Sequence, residues 1–570
     1  MERRRVLAAL LGAASLTVPS GIRPTIIDDP PEVPLETPRI HSIELIQTND
    51  PVYEGEPLRI GFTVRGTPGH IHQVEVGLMV DGTIVATKQL EVDESGVTIG
   101  SIEWIPEEGT GSLEGTPYEV TLVAGEYFDV TTVEIVRPPP ERVGITFIAE
   151  IDAATELGLD RSGRVPVTSA INDLADGSLV TLPAGEYLVS EEILLEDKTI
   201  GLEAEDGANV RFVVPEGYNG FAISALDCPS FYLRGIDLDQ TPVRTSTGLR
   251  IKCDRFHVED VEFIGRADID GTWQVNAMNC AVPSPDGYGE IRNFVHREGH
   301  WATYGGHNGG RQGIYAGPDH HGTLRIVECD IRECSNGIYA SRNYGDIHVQ
   351  RSFFQNNNAA GVRIGGDGSY VEDSTFVTDP SEYFGPRTYE DHSFTHRSIV
   401  TEERFDHINH QKEPGAEIRN CDIRVEDNPA NGAAIHRYGN GRSLRIVDTH
   451  IEYNNNGFRG VVLADSGSFG QHTGADPPRT VEFVNSSIQG TGDVDVALYI
   501  EESDESVVDG SMIHMTGASQ TGIRFVQSTD CIVRNSTIDV PGDEIDTIES
   551  DVAVENVNQE TEGLARRSLW

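Results

Sequence analysis

Residues 329–376 read CDIRECSNGIYASRNYGDIHVQRSFFQNNNAAGVRIGGDGSYVEDSTF. Two patterns interleave in this stretch. One is glycine, apolar, variable, apolar: Gly337-Ile338-Tyr339-Ala340 and Gly361-Val362-Arg363-Ile364. The other is apolar, variable, polar, small, variable, apolar, from Val349 to Phe354 and from Val371 to Phe376. Apolar residues two apart lie on one side of an extended chain, so each pattern is a short strand with one buried face.

Both patterns recur outward from here. The first appears at Gly220-Phe221-Ala222-Ile223, Gly248-Leu249-Arg250-Ile251, Gly313-Ile314-Tyr315-Ala316, Gly460-Val461-Val462-Leu463 and Gly522-Ile523-Arg524-Phe525. The small slot of the second is held by Cys329, Ser352, Ser374, Cys421, Thr449, Ser486, Ser511 and Ser536. Its spacing is about 22–25 residues wherever no insertion intervenes, the length of one coil of a right-handed parallel β-helix. Residues 143–557 then hold about 12 to 14 coils. Two interruptions, residues 268–312 and 379–414, read as long loops on the stack. Such loops on one face of a solenoid usually carry its function.

Ahead of the first coil stands Asp176-Gly177-Ser178-Leu179-Val180-Thr181-Leu182-Pro183-Ala184-Gly185-Glu186-Tyr187, preceded by a short helical segment expected near 167–175. A short helix followed by this motif resembles the start of pectate-lyase-superfamily β-helix repeat proteins. The resemblance implies that the helix plugs the open end of the solenoid, as the exposed apolar end of a first coil requires.

Residues 39–137 alternate apolar and polar positions, with turn signals every ten or so residues. Val74-Glu75-Val76-Gly77-Leu78-Met79-Val80 runs into the turn Asp81-Gly82. This predicts an antiparallel β-sandwich and resembles immunoglobulin-like modules of the bacterial cell-adhesion-related (CARDB-like) type. Pro138-Pro139-Pro140 begins a stiff hinge over 138–142, and 558–570 is a tail. Residues 1–20 carry Arg3-Arg4-Arg5 before a short apolar run, which resembles a twin-arginine export signal. Residues 21–38 are a proline-rich, acidic linker. The expected location is extracellular or at the cell surface. No later apolar run is long enough for a membrane helix.

The formal net charge is −49, from 92 acidic and 43 basic side chains, and Lys88, Lys198, Lys252 and Lys412 are the only lysines. This resembles the surface of proteins from extreme halophiles, which concentrated salt screens. A phosphate backbone needs a basic stripe, so nucleic acid is excluded as a partner. None of the seven cysteines falls in a CxxC pair, and their odd number argues against a disulfide framework. They read as small buried apolar residues. No metal motif is present; calcium is compatible with the chain but has no motif behind it. The sequence carries no signal for oligomeric state.

The variable residue of the glycine pattern faces outward. Read up the stack, these residues are Arg250, Tyr315, Tyr339, Arg363 and, past the second interruption, His436. The following turns add Asp319, His321, Arg342, Tyr344, Asp346 and Asp367; the first interruption adds His296, Trp301, Tyr304, His307 and Arg311. Aromatic faces and planar donors bind sugars, and arginine pairs with carboxylates bidentately. The expected partner is therefore an acidic polysaccharide or a cell-surface glycan. Substrate binding falls to Trp301, Tyr304, His307, Arg311, Tyr315, Tyr339, Tyr344 and His436. A lyase would neutralise a uronate with Arg363 or Arg342 and abstract a proton with His321 or Tyr339. A hydrolase would need two carboxylates, from Asp319, Asp346 and Asp367. The alternative is a non-catalytic adhesin or glycan-binding structural protein.

Overall fold

The computed structural model describes residues 40–136 in part (40–48, 52–53, 58–67, 71–92, 97–106, 116–125 and 127–136) and residues 141–558 except 268–274, 300–309, 384–396, 404–414, 427–431, 464–477 and 519. It divides into two compact units, meeting in sequence at Pro139 and Pro140.

The first unit is two antiparallel sheets. One pairs Ile40–Thr48, Leu58–Gly66 and Val97–Trp104. The other orders Tyr127–Val136, Thr116–Ala124, His72–Val80 and Thr83–Val92 in antiparallel succession. Between them lie Leu58, Ile60, Phe62, Val64, Val76, Leu78, Val120 and Leu122, all without solvent exposure. The alternation forecast in the sequence is what aligns these side chains on one face. Asp81 and Gly82 both take positive φ, 45° and 80°. That is the turn whose twist suits a tight hairpin.

The second unit is a parallel β-helix. Its strands belong to one continuous sheet in which every described pairing is parallel. The stack that carries the glycine pattern has thirteen strands among the described residues, from Ile193–Glu196 to Ile545–Ile548. Inward residues such as Ile314, Ile338, Val362, Ile399, Ile435 and Val461 stand directly over one another and are fully buried. At the start, Thr168–Asn172 is a short helix. Val167, Ile171 and Leu174 pack into the core beneath it.

Two sequence expectations are corrected. The interruptions are not loops throughout. The first contains the coil strands Met278–Ala281 and Tyr288–His296, and the second contains Arg397–Thr401. His296, read as a loop residue, is fully buried and its ring packs against Phe263. All seven cysteines are buried and unpaired.

The small slot turns out to be a hydrogen-bonded ladder. The hydroxyl of Ser486 donates to the carbonyl of Val484 at 2.8 Å and accepts from the amide of Thr449 at 3.1 Å. Thr449, Ser511 and Ser536 repeat the geometry in the neighbouring coils. The residue before each slot is in the left-handed region, at Glu328, Arg351, Asp373, Asn420, Asp448, Asn485 and Asn535. The slot needs a small side chain with a hydrogen-bonding atom, because the chain reverses direction there and leaves an amide and a carbonyl without sheet partners.

Candidate functional site

The outward row of the glycine-pattern stack is set by register. It runs Arg250, Asn279, Tyr315, Tyr339, Arg363, Val400, His436, Val462, Tyr499. Tyr315, Tyr339 and Arg363 are therefore consecutive, as the repeat implied. Arg250 and His436 are each one level further away than the sequence suggested, because the coils inside the two interruptions insert Asn279 and Val400.

The rings of Tyr315 and Tyr339 meet edge to face at 5.7 Å. Two guanidinium groups flank Tyr339: Arg363 lies 5.0 Å and Arg342 5.2 Å from its ring centroid. Arg363 is itself held between two rings, with Tyr438 at 5.3 Å. Burial, reinforced by the Glu402 carboxylate, raises the Tyr339 phenol well above its usual range despite both arginines. Burial also raises Tyr315. Both phenols are held protonated.

Arg363 was expected to face solvent, ready for a uronate. It is 5% exposed, and its charge is already engaged. Its Nη1 lies 3.5 Å from Oε1 of Glu402, and its Nη2 donates to the Tyr438 hydroxyl at 3.0 Å. Burial opposes its charge, but Glu402 and the tyrosine oxygens outweigh that, and its pKa is raised. Glu402 has no solvent exposure and accepts from Ser341 Oγ at 2.8 Å. Ser341 lies two coils away. Between them stands Gly365, where a Cβ would lie 2.2 Å from the backbone carbonyl oxygen of Glu402. Arg397 donates through Nε to Nδ1 of His436 at 2.9 Å and lies 5.3 Å over the Tyr438 ring. His436 is thus an acceptor at Nδ1. Burial, then the nearby Arg397 and Arg363 charges, depresses its pKa well below the usual range. It serves this cluster as a neutral ring.

The remaining expected residues fall into three places. Trp301, Tyr304 and His307 lie outside the described residues. Arg311, expected to bind substrate, is fully buried. It bonds to His296 Nε2, Ser246 Oγ and the carbonyl of Val275, and it packs 5.2 Å over Phe263. Enclosed in this way it is a core residue that a surface polymer does not reach. The others form the rim beside the row. His321 is exposed and stacks on Tyr344, with centroids 4.7 Å apart and planes 7° from parallel. Asp319 is exposed and ion-paired with Lys252 at 3.2 Å. Asp346 is half-buried, with its carboxylate 2.6 Å from where a Cβ of Gly368 would stand. Asp367, beside that glycine, is exposed on the next coil.

His320 and His321 do not point to a common centre. His320 is fully buried and its Nδ1 accepts from the Val282 amide at 3.2 Å, so its Nε2 carries the proton and donates to the Asp346 carbonyl at 3.3 Å. Among the described residues there is no group of three or more His, Cys, Asp or Glu that could hold a metal. No helix among the described residues is long and apolar enough to cross a membrane.

Sequence reading missed Glu402, Arg397 and the connection to Ser341. The signal was present. Ser398-Ile399-Val400-Thr401-Glu402 is a coil strand and its turn, with serine where the pattern has glycine.

No family model matches the chain, and no curated protein matches it. Among solved structures, the CARDB domain of a Pyrococcus furiosus protein, crystallised with two metal ions, is similar at 14% identity. It covers 18% of this chain and 98% of its own, with a TM-score of 0.16. A β-glucosidase from Listeria innocua in complex with gluconolactone matches at 12% identity over 17% of this chain and 16% of its own, with a TM-score of 0.15. The Agl-KA catalytic domain matches at 10% identity, covering 88% of this chain and 90% of its own, with a TM-score of 0.33.

Proposed function

We propose that this is an exported, carbohydrate-active β-helix protein of the pectate-lyase-superfamily type. It binds an extracellular polysaccharide across the outward row at Tyr315 and Tyr339 and cleaves it. The observation that carries the reading is the convergence of two tyrosine rings, the stacked His321–Tyr344 pair and Arg342 beside one row of the coil stack. Flat apolar faces next to planar hydrogen-bonding groups suit a sugar ring, which is apolar above and below and polar at its edge.

Of the two cleavage chemistries, elimination keeps Arg342 with His321 as its cation and base, since the other two members of that set, Arg363 and Tyr339, are engaged elsewhere. A lyase acting through Arg363 would need that charge free, but Glu402 neutralises it. Tyr339 is protonated and so is a poor base. Asp346 and Asp367, on neighbouring coils, are the carboxylates a hydrolase would draw on. A non-catalytic glycan-binding surface protein is the second reading. The burial of Arg363 against Glu402 favours it, since this charge of the row serves the fold.

The test is incubation of the full chain in molar salt with a panel of polysaccharides. Reducing ends and unsaturated-uronate absorbance are followed, with Tyr339→Ala and Asp367→Asn beside the parent. New reducing ends without unsaturated product, lost in Asp367→Asn, are expected for the hydrolase. Unsaturated product would replace hydrolysis by elimination. Binding without product, weakened roughly tenfold by Tyr339→Ala, would leave the binding reading alone. Neither binding nor product overturns the proposal.

A further inference from the structure

Register places the buried cysteines against different neighbours, and in one case against each other. Cys228 and Cys253 are cross-strand partners on adjoining coils, and both face the core. Elsewhere Cys280 is opposite Ile251 and Cys531 opposite Val552, while the amides of Cys329, Cys334 and Cys421 donate to the side chains of Ser352, Asn357 and Thr449. Adjoining strands of a sheet lie about 4.8 Å apart, inside the Cα separation of about 4.4–6.8 Å that a disulfide spans. The register shifts between Leu226 and Cys228, where Asp227 takes a positive φ of 52°, and the two side chains converge at this bend. Cys228 Sγ lies 3.5 Å from the carbonyl oxygens of Leu195 and Leu226. Cys253 Sγ reaches back to the carbonyl oxygen of Ala225, at 3.7 Å, on the coil of Cys228. The thiols also meet: a hydrogen bond with Cys253 lowers the Cys228 pKa, whereas burial raises that of Cys253. One sulfur is thus the more readily ionised and the other is its protonated neighbour, the inequality that thiol exchange uses.

We propose that Cys228 and Cys253 are a redox pair: an oxidising medium joins them in a disulfide that closes a single coil, and a reducing one reopens it. This goes beyond the glycan reading and does not depend on it. The oxidant is a low-molecular-weight disulfide. The Cys228 thiolate attacks one of its sulfurs and expels the other as a thiolate, which takes up a proton. Cys253 then loses its proton to solvent and attacks the Cys228 sulfur of the mixed disulfide, expelling the second small thiolate, which is protonated in turn. Two protein thiols become one disulfide, and one external disulfide becomes two thiols. The bend lies at the surface, where the Asp227 side chain is 70% exposed, so local opening there admits a small reagent. The two sulfurs are 25 residues apart in sequence, one repeat. Their bond restrains the unfolded chain over that repeat and fastens together the two coils beneath the first interruption.

The experiment equilibrates the full chain, in molar salt, with reduced or with oxidised glutathione, and then counts thiols with a maleimide under denaturing conditions. Seven reactive thiols are expected in the reduced sample and five in the oxidised one. Trypsin should release the oxidised pair as residues 212–234 linked to Cys253-Asp254-Arg255. The oxidised parent should melt about 4 °C above the reduced parent, the effect of a cross-link over one repeat on a chain of this size. Cys228→Ser should keep its six thiols under both conditions and melt alike in both. Cys253→Ser, which lacks the second attacking sulfur, should accumulate glutathione on Cys228. Cys280→Ser should still lose two thiols on oxidation. The linked peptide of the parent decides the matter without any variant. Seven thiols surviving in oxidised glutathione, or linked peptides that join other cysteines instead, overturn the inference.

Discussion

At the scale of single residues, the decisive arrangement is the enclosed pair of Arg363 and Glu402. Neither charge would survive burial alone, since removing one partner of a buried pair leaves the other uncompensated, at a cost of about 3–5 kcal/mol. Here the pair is bridged further by Ser341 and Tyr438. Glu402→Gln keeps the shape and removes the charge, so it is expected to destabilise the chain by about that amount. Arg363→Gln combined with Glu402→Gln should restore part of the loss, because the double variant buries no net charge. The check is a double-mutant cycle read from urea midpoints. Additive losses would mean that the two side chains do not act on each other. Gly365 belongs to the same unit: a Cβ there would collide with the backbone carbonyl of Glu402.

At the scale of the coil, the repeat was legible wherever its marker residues were kept. The glycine slot is occupied in register by Gly248, Ala277, Gly313, Gly337, Gly361, Ser398, Ala434, Gly460, Ala497 and Gly522. A Cβ at Gly248, Gly313, Gly337 or Gly361 would stand 2.2 to 2.7 Å from a carbonyl oxygen of the next coil, so glycine is demanded there. Gly522 is as crowded, with a Cβ 2.6 Å from the Glu544 carbonyl oxygen, whereas the levels of Ala277, Ser398, Ala434 and Ala497 accommodate a side chain. A pattern keyed on glycine therefore passed over Ala277 and Ser398, and the strands beside them were read as loop. That one omission hid Glu402, misplaced His436 and exposed Arg311 on paper. The second slot is kept more faithfully because it needs a hydrogen-bonding atom as well as small size. Ser486→Ala removes the acceptor for the Thr449 amide and the donor for the Val484 carbonyl, an expected loss of about 1–3 kcal/mol. Ser486→Cys should lose less, since Cys329 and Cys421 already hold equivalent positions with Sγ 3.4 Å from a carbonyl. Amide hydrogen exchange reports the difference locally: the Thr449 amide should exchange faster in Ser486→Ala than in Ser486→Cys. Equal rates in the two variants would reduce the slot to a matter of size.

At the scale of the whole molecule, the net charge of −49 sets the response to salt. Screening acts on two opposed terms. It weakens exposed ion pairs such as Arg297 with Asp330 at 2.7 Å, and it weakens repulsion among the unpaired carboxylates. Exposed pairs contribute about 0–1 kcal/mol each, and acids outnumber bases by more than two to one, so relief of repulsion wins. The balance is most one-sided in the last coil. Asp543, Glu544, Asp546, Glu549, Asp551 and Glu555 crowd a stretch with no basic residue between Arg534 and Arg566. Its apolar side chains are also poorly covered, with Ile548 47% and Val554 54% exposed. Strands that bury little and repel much open first. The melting midpoint is therefore expected to rise as salt increases from about 0.1 to 1 M, over which the screening length falls from about 10 to 3 Å. Hydrogen exchange in the strands Ile545–Ile548 and Val552–Glu555 should slow more over that range than exchange in Val362 or Ile399, whose coil is enclosed on both sides. NaCl and KCl at equal ionic strength should act alike, because screening does not distinguish them. A midpoint that is flat or falls with salt would show that the paired charges outweigh the unpaired ones, and that the acidic surface is not what holds this β-helix to concentrated salt.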